Sequence, residues 1–404
     1  MKKIALIVLG TLLCTLVLEA NKIPGYVPPE AKKKVKKPEI YHALWEKMYG
    51  GKDDDIAYGI VALEEGESAM VGTCKSFNAQ NTDICVTRLN AQGEMKWRLL
   101  LGGAKKDEGK AISRAADGTL MILGTTKSLA KKYDSDLYVA KVSLEGKLIW
   151  EKGIGGDRDE FAGGIAGTDD GGVLVVGDSE SFGNHYKDIY IVKLSKEGEV
   201  HSSRTIGGEK EDSAKALTRT KDGNMVMVGH REVESSGNKD FFVMKLNQNG
   251  QKIWAKTYGG KYADTLSGVT ASIDGGIVAT GKTRSFGSDQ TDLSVMKFDM
   301  QGELVWHKIY GFKYYEYGNA VTSTLDGGFM IAGGTNTLGN GGHSVYMLAL
   351  DKNGKLIWSH VYGDREKDRA HSIARMSDGT IIVAGESDSY SRSTNFYMIK
   401  IKKK

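Results

Sequence analysis

The sequence predicts an all-β fold: a seven-bladed β-propeller of four-stranded antiparallel blades. Three observations support this prediction. All six tryptophans share one phase of a repeat of 52 or 53 residues, with Ser202 at the position of the missing copy. A glycine that ends a β-rich run returns in the same phase in seven copies. Residues 41–404 number 364, which is seven times 52. Seven copies of one unit of this length are typical of a propeller.

The two markers are independent of each other and stay in step along the chain. The tryptophans are Trp45, Trp97, Trp150, Trp254, Trp306 and Trp358, and the glycines are Gly72, Gly124, Gly177, Gly229, Gly281, Gly333 and Gly385. No helical period appears outside the N-terminal segment. The body of the chain is therefore predicted to consist of strands and turns only.

Each repeat contains four short β-rich runs, which we name strands A to D. In the fifth repeat they are predicted at Leu266–Ser272, Ile277–Thr283, Asp292–Phe298 and Leu304–Tyr310. Asp-Gly and Asn-Gly pairs stand between many of these runs. Such pairs favour tight hairpins, because glycine tolerates the positive φ that these turns need.

The two ends of the repeat region complement each other. The last repeat has strands at Arg369–Met376, Thr380–Glu386 and Asn395–Lys402 but no strand D, whereas Ala43–Tyr49 is a strand D with no strands before it. We therefore expect the N-terminal strand D to complete the C-terminal blade. This pairing would close the ring and remove a free sheet edge.

The repeated unit resembles the β-propeller repeats of secreted bacterial proteins. It reads W-x-x-x-[YI]-G-G, D-x-A-x-x-[IV], D-G-G-x-x-V-x-G, D-x-[YF]-x-V-K-[LF] and G-x-x-x-W in order, and it covers residues 41–404. The resemblance implies the fold. It implies no shared chemistry and transfers no site residue.

The first 40 residues differ from the rest. Residues 1–20 read as an export signal, with Lys2 and Lys3 before the apolar run Ile4–Leu18; an uncleaved N-terminal anchor is the alternative. Residues 21–40 hold all four prolines, so we expect an extended tether. Its lysines could make a weak contact with a membrane surface: Lys32, Lys33, Lys34, Lys36 and Lys37. We therefore expect a periplasmic or secreted bacterial location.

Composition excludes a disordered, a collagen-like and a polytopic membrane protein. Hydrophobic residues make up 40% and charged residues 26%, which is globular composition. Residues 1–40 carry eight Lys and three Glu, so the remainder has 47 basic and 48 acidic residues and a net charge of −1. A nearly neutral body does not indicate a nucleic-acid-binding face. We expect a monomer.

A carboxylate precedes an apolar position of strand A by five residues in every repeat. The seven are Asp55, Asp107, Glu160, Asp212, Asp264, Glu316 and Asp368. Strand A is innermost in a propeller, so these groups could ring the mouth of the central channel and bind a cation. The favoured interpretation is structural: each accepts backbone N–H bonds within its own D–A loop.

The loop that enters the sixth repeat is unusually aromatic. It contains Phe312, Tyr314, Tyr315 and Tyr317, and Tyr262 occupies the equivalent loop of the preceding repeat. Exposed aromatic side chains often anchor peptide or sugar ligands, so this cluster is a candidate ligand site. Packing between blades five and six is the competing interpretation and is slightly favoured.

Two cysteines, Cys74 and Cys85, flank the B–C loop of the first repeat symmetrically. A cross-strand disulfide is feasible between them in an exported protein, and two free thiols are the alternative.

No enzyme signature appears: there is no HExxH, no GxSxG and no Cys/His metal spacing. We predict no cofactor and no metal site. The sequence favours an exported, non-catalytic binding or scaffold module with a protein partner, as in a protein–protein or envelope-assembly platform. A carbohydrate-binding or carbohydrate-active propeller is the alternative. Catalysis stays open, because propeller enzymes assemble their sites from several blades.

Overall fold

Seven antiparallel sheets of four strands, each in the order A-B-C-D, form the body of the described chain. The computed structural model describes residues 26–27, 40–77, 81–184, 186–233, 238–288, 290–339 and 342–404. The predicted export signal and the five tether lysines lie outside these residues. Strand A of each blade contacts strand A of the next, and blade seven returns to blade one, so the blades close into a ring. The predicted seven-bladed propeller is confirmed.

The strands have similar lengths in all seven blades. The innermost A strands are Asp55–Ala62, Asp107–Arg114, Glu160–Gly167, Asp212–Arg219, Asp264–Ala271, Glu316–Ser323 and Asp368–Arg375. The B strands are Ser68–Cys74, Leu120–Thr126, Val173–Ser179, Met225–Val233, Ile277–Thr283, Phe329–Thr335 and Ile381–Ser387. The C strands are Asp83–Leu89, Asp136–Val142, Asp188–Leu194, Asn238–Leu246, Asp292–Phe298, Ser344–Leu350 and Asn395–Lys403. The outermost D strands are Met95–Leu101, Leu148–Ile154, Val200–Ile206, Lys252–Tyr258, Leu304–Tyr310, Leu356–Tyr362 and, for blade seven, Tyr41–Tyr49.

Two short elements stand outside this scheme. The 3₁₀ turn Glu64–Gly66 connects strands A and B of blade one. The two-residue strand Tyr26–Val27 pairs in parallel with strand D of blade five, beside His307 and Lys308. No helix in the described part of the chain is long and apolar enough to cross a membrane.

The ring closes through its N-terminal strand, as the sequence predicts. Tyr41–Tyr49 lies antiparallel to Asn395–Lys403, with Tyr41 opposite Lys403 and Tyr49 opposite Phe396. The Tyr41 ring also packs on Trp358 of blade six, with 5.3 Å between the ring centroids. Blade seven therefore combines strands from both ends of the repeat region.

The hydrophobic core lies between neighbouring blades. Strands B and C are buried along most of their length because each of their faces meets another blade. One core cluster joins Val278 and Val295 of blade five to Ile331 and Leu348 of blade six. Burial on both faces explains why these strands read as nearly continuous apolar runs.

A tryptophan on strand D holds each blade against the next at most boundaries. The indole N–H of Trp97 donates to Leu144 O at 2.8 Å, in the C–D turn of the following blade. Gly146 in that turn has φ +81°, and a Cβ atom on it would lie 2.8 Å from the Trp97 ring. The repeated tryptophan and the repeated turn glycine are therefore partners across a blade boundary.

The antiparallel order gives the disc two different faces. The D–A and B–C loops lie on one side, which we call the loop face. The tight A–B and C–D turns lie on the other side, which we call the turn face. Every strand A begins at the loop face, so the residues early in strand A lie near that end of the central channel.

Candidate functional site

A one-residue bulge interrupts every inner strand at the same place. In blade two, Gly109 pairs with Gly124 and Ala111 pairs with Leu123, which leaves Lys110 unpaired between them. The same register shift occurs in the other six A strands. Bulges of this kind redirect side chains, often beside functional sites.

The bulged residues line a cavity of about 400 Å³ on the propeller axis. They differ from blade to blade: Tyr58, Lys110, Gly163, Lys215, Ser267, Asn319 and His371. Two residues further along each strand, deeper in the channel, an aliphatic side chain lines the same cavity: Ile60, Ile112, Ile165, Leu217, Val269, Val321 and Ile373. The cavity thus has a polar, asymmetric rim above a symmetric apolar ring.

On one side of the rim, a buried carboxylate is paired with a lysine. Asp178 is 3% exposed, and its carboxylate accepts hydrogen bonds from Ser213 Oγ and from Ala214 N at 2.8 Å. Lys215 Nζ lies 3.3 Å from Asp178 Oδ2. Burial raises the pKa of Asp178, and Lys215 and the two hydrogen bonds oppose that shift. This part of the rim is a satisfied ion pair.

The opposite side contains a larger network around Glu386, which is 2% exposed. Its Oε1 lies 2.8 Å from Lys367 Nζ, 3.7 Å from Arg369 Nη1 and 3.7 Å from His371 Nε2. Burial alone would raise the pKa of Glu386, but His371 and Lys367 outweigh it and lower it to about 2. Glu386 is therefore a fixed anion beside the rim, paired with Lys367 and close to the ring of His371, which lines the cavity.

Lys110 is held in a different way. Its Nζ lies 5.0 Å from the centroid of the Tyr58 ring, and that ring is 5.0 Å from the His371 ring. Burial lowers the pKa of Lys110, and the like charge of Lys215 lowers it further, whereas Glu108 opposes the shift. Glu108 itself is paired with Lys106 at 2.9 Å.

The seven predicted carboxylates are buried at the starts of the A strands and do not line the cavity. Their oxygens accept bonds from their own loops: Gly103 N donates to Asp107 at 2.8 Å and Phe312 N to Glu316 at 2.8 Å. The same loop position donates to Asp55, Glu160, Asp264 and Asp368, while Asp212 also accepts from Arg231 Nε at 3.0 Å. Among the described residues, no group of three or more His, Cys, Asp or Glu side chains could hold a metal ion.

The predicted aromatic cluster is divided between surface and interior. Tyr262, Tyr314 and Tyr315 are 45–47% exposed. Phe312 packs edge-on against Tyr346 with 6.2 Å between centroids, and Tyr317 is half-buried beside Gly334. Three of the five side chains are therefore available to a ligand, and two belong to the packing of blade six.

Cys74 and Cys85 are joined by a disulfide in blade one, and both are fully buried. Cys85 lies opposite Gly72 in the B–C ladder, two residues from Cys74, so the bond crosses the strands diagonally. It fixes the base of a B–C loop on the loop face.

Sequence reasoning missed the bulged position, although a signal was present. The carboxylate three residues earlier is kept in all seven repeats, whereas the bulged position changes from Tyr to Lys, Gly, Ser, Asn and His. Because this position varies while the rest of the repeat is regular, the fold does not require a particular side chain there.

Comparison with sequences gives limited matches. A β-propeller domain family of unknown function (DUF5122) matches residues 377–403. The regulatory protein FlaEY of Caulobacter vibrioides is 26% identical over 100 residues, which cover 22% of this chain and 10% of FlaEY. The chain therefore spans about a tenth of that curated relative.

Solved structures share the fold along almost the whole chain. A protein of unknown function from Dyadobacter fermentans has a TM-score of 0.54 at 11% identity, covering 90% of this chain and 100% of its own. The WD40 domain of Neurospora crassa Pan2 has a TM-score of 0.54 at 12% identity, covering 89% and 95%. Chaetomium thermophilum Sqt1, bound to the N-terminus of ribosomal protein L10, has a TM-score of 0.53 at 14% identity, covering 88% and 98%. At these identities the similarity establishes the fold alone.

Proposed function

We propose that this propeller is a non-catalytic binding platform that engages a protein partner through its loop face. One observation carries the proposal: within the described residues, the six most exposed tyrosines all lie in D–A or B–C loops. They are Tyr133, Tyr186, Tyr262, Tyr314, Tyr315 and Tyr390, with exposures between 45% and 93%. Tyrosine is enriched among the residues that dominate binding energy at protein interfaces.

Cations accompany several of these rings. Lys105 Nζ lies 5.6 Å from the Tyr133 ring, Lys261 Nζ 5.4 Å from Tyr262 and Lys313 Nζ 5.1 Å from Tyr314. Flat aromatic surface with adjacent positive charge suits a partner that presents apolar and acidic side chains together. The Sqt1 propeller holds the N-terminus of ribosomal protein L10. We propose by analogy that a peptide segment is a suitable occupant here.

We further propose that the chain is exported, with residues 1–20 as signal or anchor and residues 21–40 as tether, and that it works in a bacterial envelope. The disulfide Cys74–Cys85 supports this compartment, because such bonds persist in oxidising environments. Export is tested by fractionating cells and sequencing the N-terminus of the mature protein. Recovery of the uncleaved chain in the cytoplasm with Cys74 and Cys85 both reduced would contradict it.

The partner hypothesis is tested by cross-linking and affinity capture from envelope extract with three forms of the full chain. These are the wild type, the loop-face variant Tyr314→Ala/Tyr315→Ala, and the turn-face control Leu325→Ala, which alters a side chain 61% exposed. We expect one protein to be captured by the wild type and the control and to bind the loop-face variant at least about tenfold more weakly once purified. Equal binding to all three forms would contradict the proposal.

A carbohydrate ligand is the second candidate, supported by the adjacent exposed rings of Tyr314 and Tyr315. Aromatic faces provide apolar contact area for sugar rings while the hydroxyl group still hydrogen-bonds. Specific signals on a glycan array that vanish in Tyr314→Ala/Tyr315→Ala would favour this candidate over a protein partner.

A further inference from the structure

We propose that the central cavity binds a small organic anion, a carboxylate with an apolar tail. Its carboxylate would lie at the rim near Lys110 and Lys282, and its tail would extend toward the aliphatic ring. The proposal concerns a different site from the tyrosine surface and does not depend on a protein partner.

The rim carries excess positive charge that the described residues do not neutralise. The two rim acids are engaged, Asp178 with Lys215 and Glu386 with Lys367, Arg369 and His371. Lys110 and Lys282 both line the cavity, and neither forms an ion pair or a side-chain hydrogen bond within the described part of the chain. Ammonium groups without ion-pair partners that line one cavity give it a positive potential, which attracts an anion.

Lys110 is not needed to build its blade. The position of Lys110 is Gly163 in blade three, Ser267 in blade five and Asn319 in blade six, and each of those strands keeps the same bulge. Confinement in the channel and the like charge of Lys215 lower the pKa of Lys110, although its side chain is exposed to the water in the channel. Because uncharged residues serve the fold at this position in other blades, we infer that the charge of Lys110 serves a ligand.

The deeper part of the cavity favours a ligand with an apolar tail. Below the lysines, Ile112, Ile165, Leu217 and their equivalents from other blades form an apolar ring. The volume of about 400 Å³ is within the range of small-molecule sites. An inorganic anion would leave this ring in contact with water, whereas a short acyl chain would cover it.

Titration calorimetry on the full chain with sodium butyrate, sodium hexanoate, hexan-1-ol and inorganic phosphate tests the proposal. We expect saturable binding of one hexanoate per chain. Hexanoate should bind about 15-fold more tightly than butyrate, because each buried methylene contributes about fourfold. Hexan-1-ol and phosphate should bind much more weakly, because hexan-1-ol lacks the carboxylate and phosphate lacks the apolar tail. Absence of saturable hexanoate binding, or equal affinity for hexanoate and phosphate, would overturn the proposal.

Matched variants locate the site. Lys110→Met and Lys282→Met keep the length of the side chain and remove the charge, and each should weaken hexanoate binding by about tenfold or more. Lys252→Met removes a lysine from the outer strand of blade four and should leave the affinity unchanged. Ser267→Phe fills the cavity without changing charge and should also abolish binding. Unaltered affinity in Lys110→Met and Ser267→Phe would place the ligand elsewhere and refute the assignment.

Discussion

The carboxyl groups of Asp136 and Glu160 lie side by side at the boundary between blades two and three. A Cβ atom on Gly155 would sit 2.0 Å from Asp136 Oδ1 and 2.2 Å from Glu160 Oε2. Burial and the neighbouring Glu160 charge raise the pKa of Asp136 to about 6. Blade seven carries Asn395 at the position of Asp136, beside Asp55 of blade one. A neutral amide is therefore already accepted at this place in the fold.

We predict that Asp136→Asn stabilises the protein near neutral pH. The folded-state pKa of about 6 exceeds the ordinary 3.8 of aspartate, so stability from this group is complete below pH 3.8 and is lost as pH rises through 6. Removing the ionisation should raise the free energy of unfolding at pH 7.5 by about 1–2 kcal/mol, less than the full shift because the site can relax. Thermal melting at pH 4.5 and 7.5 measures the difference.

The control for this prediction is Glu209→Gln, at an exposed loop position. It should change the melting temperature by similar small amounts at both pH values. An Asp136→Asn variant that is no more stable than wild type at pH 7.5 would show that the carboxyl pair is not under electrostatic strain.

Adjacent glycines of one loop should respond very differently to the same change. A Cβ atom on Gly207 would lie 1.7 Å from Asp188 Oδ1, whereas one on Gly208 would meet nothing within 4 Å. Gly207→Ala should lower the free energy of unfolding by about 1–3 kcal/mol through overpacking. Gly208→Ala should stay within about 0.5 kcal/mol of wild type. Urea denaturation of the two variants makes the comparison, and equal effects would argue against the buried position of Asp188.

The disulfide should contribute measurably to stability. Cys74 and Cys85 are 11 residues apart, and closing a loop of that size restricts the unfolded chain by about 2–3 kcal/mol. Cys74→Ala/Cys85→Ala should therefore melt at a lower temperature than the oxidised wild type. Adding reductant should lower the melting temperature of the wild type and leave that of the variant unchanged. A wild type insensitive to reductant, with two thiols that react with a thiol reagent, would contradict the bond.

Closure by the N-terminal strand should be essential for a stable propeller. A chain that begins at Gly50 lacks the strand Tyr41–Tyr49 and exposes the ladder edge of Asn395–Lys403. We expect such a chain to lose most of its thermal stability and to associate through that edge. A synthetic peptide of residues 40–49 should restore the melting temperature and the association state of the unshortened chain together. Unchanged melting of the shortened chain would mean that blade seven does not need its fourth strand.

Much of the fold could be predicted from the sequence because the repeat preserves packing constraints. Strands B, C and D of the fifth repeat occur where they are predicted, and strand A begins at Asp264 rather than Leu266. The two extra residues are polar and pair with the end of strand B, so hydrophobicity alone does not identify them. The tryptophan spacing could be used because the ring packs on the next blade at most boundaries, and the glycine spacing because a Cβ atom on Gly72 or Gly124 would collide with the backbone of strand A.

The candidate cavity could not be predicted in the same way. Whether Lys110 points into the channel depends on the bulge between Gly109 and Ala111. The repeat varies at this phase, but the variation alone does not reveal a change of register. Glu386 lies on strand B of blade seven, whereas its partners come from strand A and the loop before it, so their convergence depends on tertiary structure. Likewise, Phe312 and Tyr314 differ in exposure although they are two residues apart, because only Phe312 reaches Tyr346.

The direction of the closing strand has a consequence for orientation. Strand D rises from the turn face to the loop face, and Tyr41 lies opposite Lys403 at the lower end of the ladder. The chain therefore enters blade seven at the turn face. The point at which the chain enters blade seven and the six exposed tyrosines therefore lie on opposite faces of the disc.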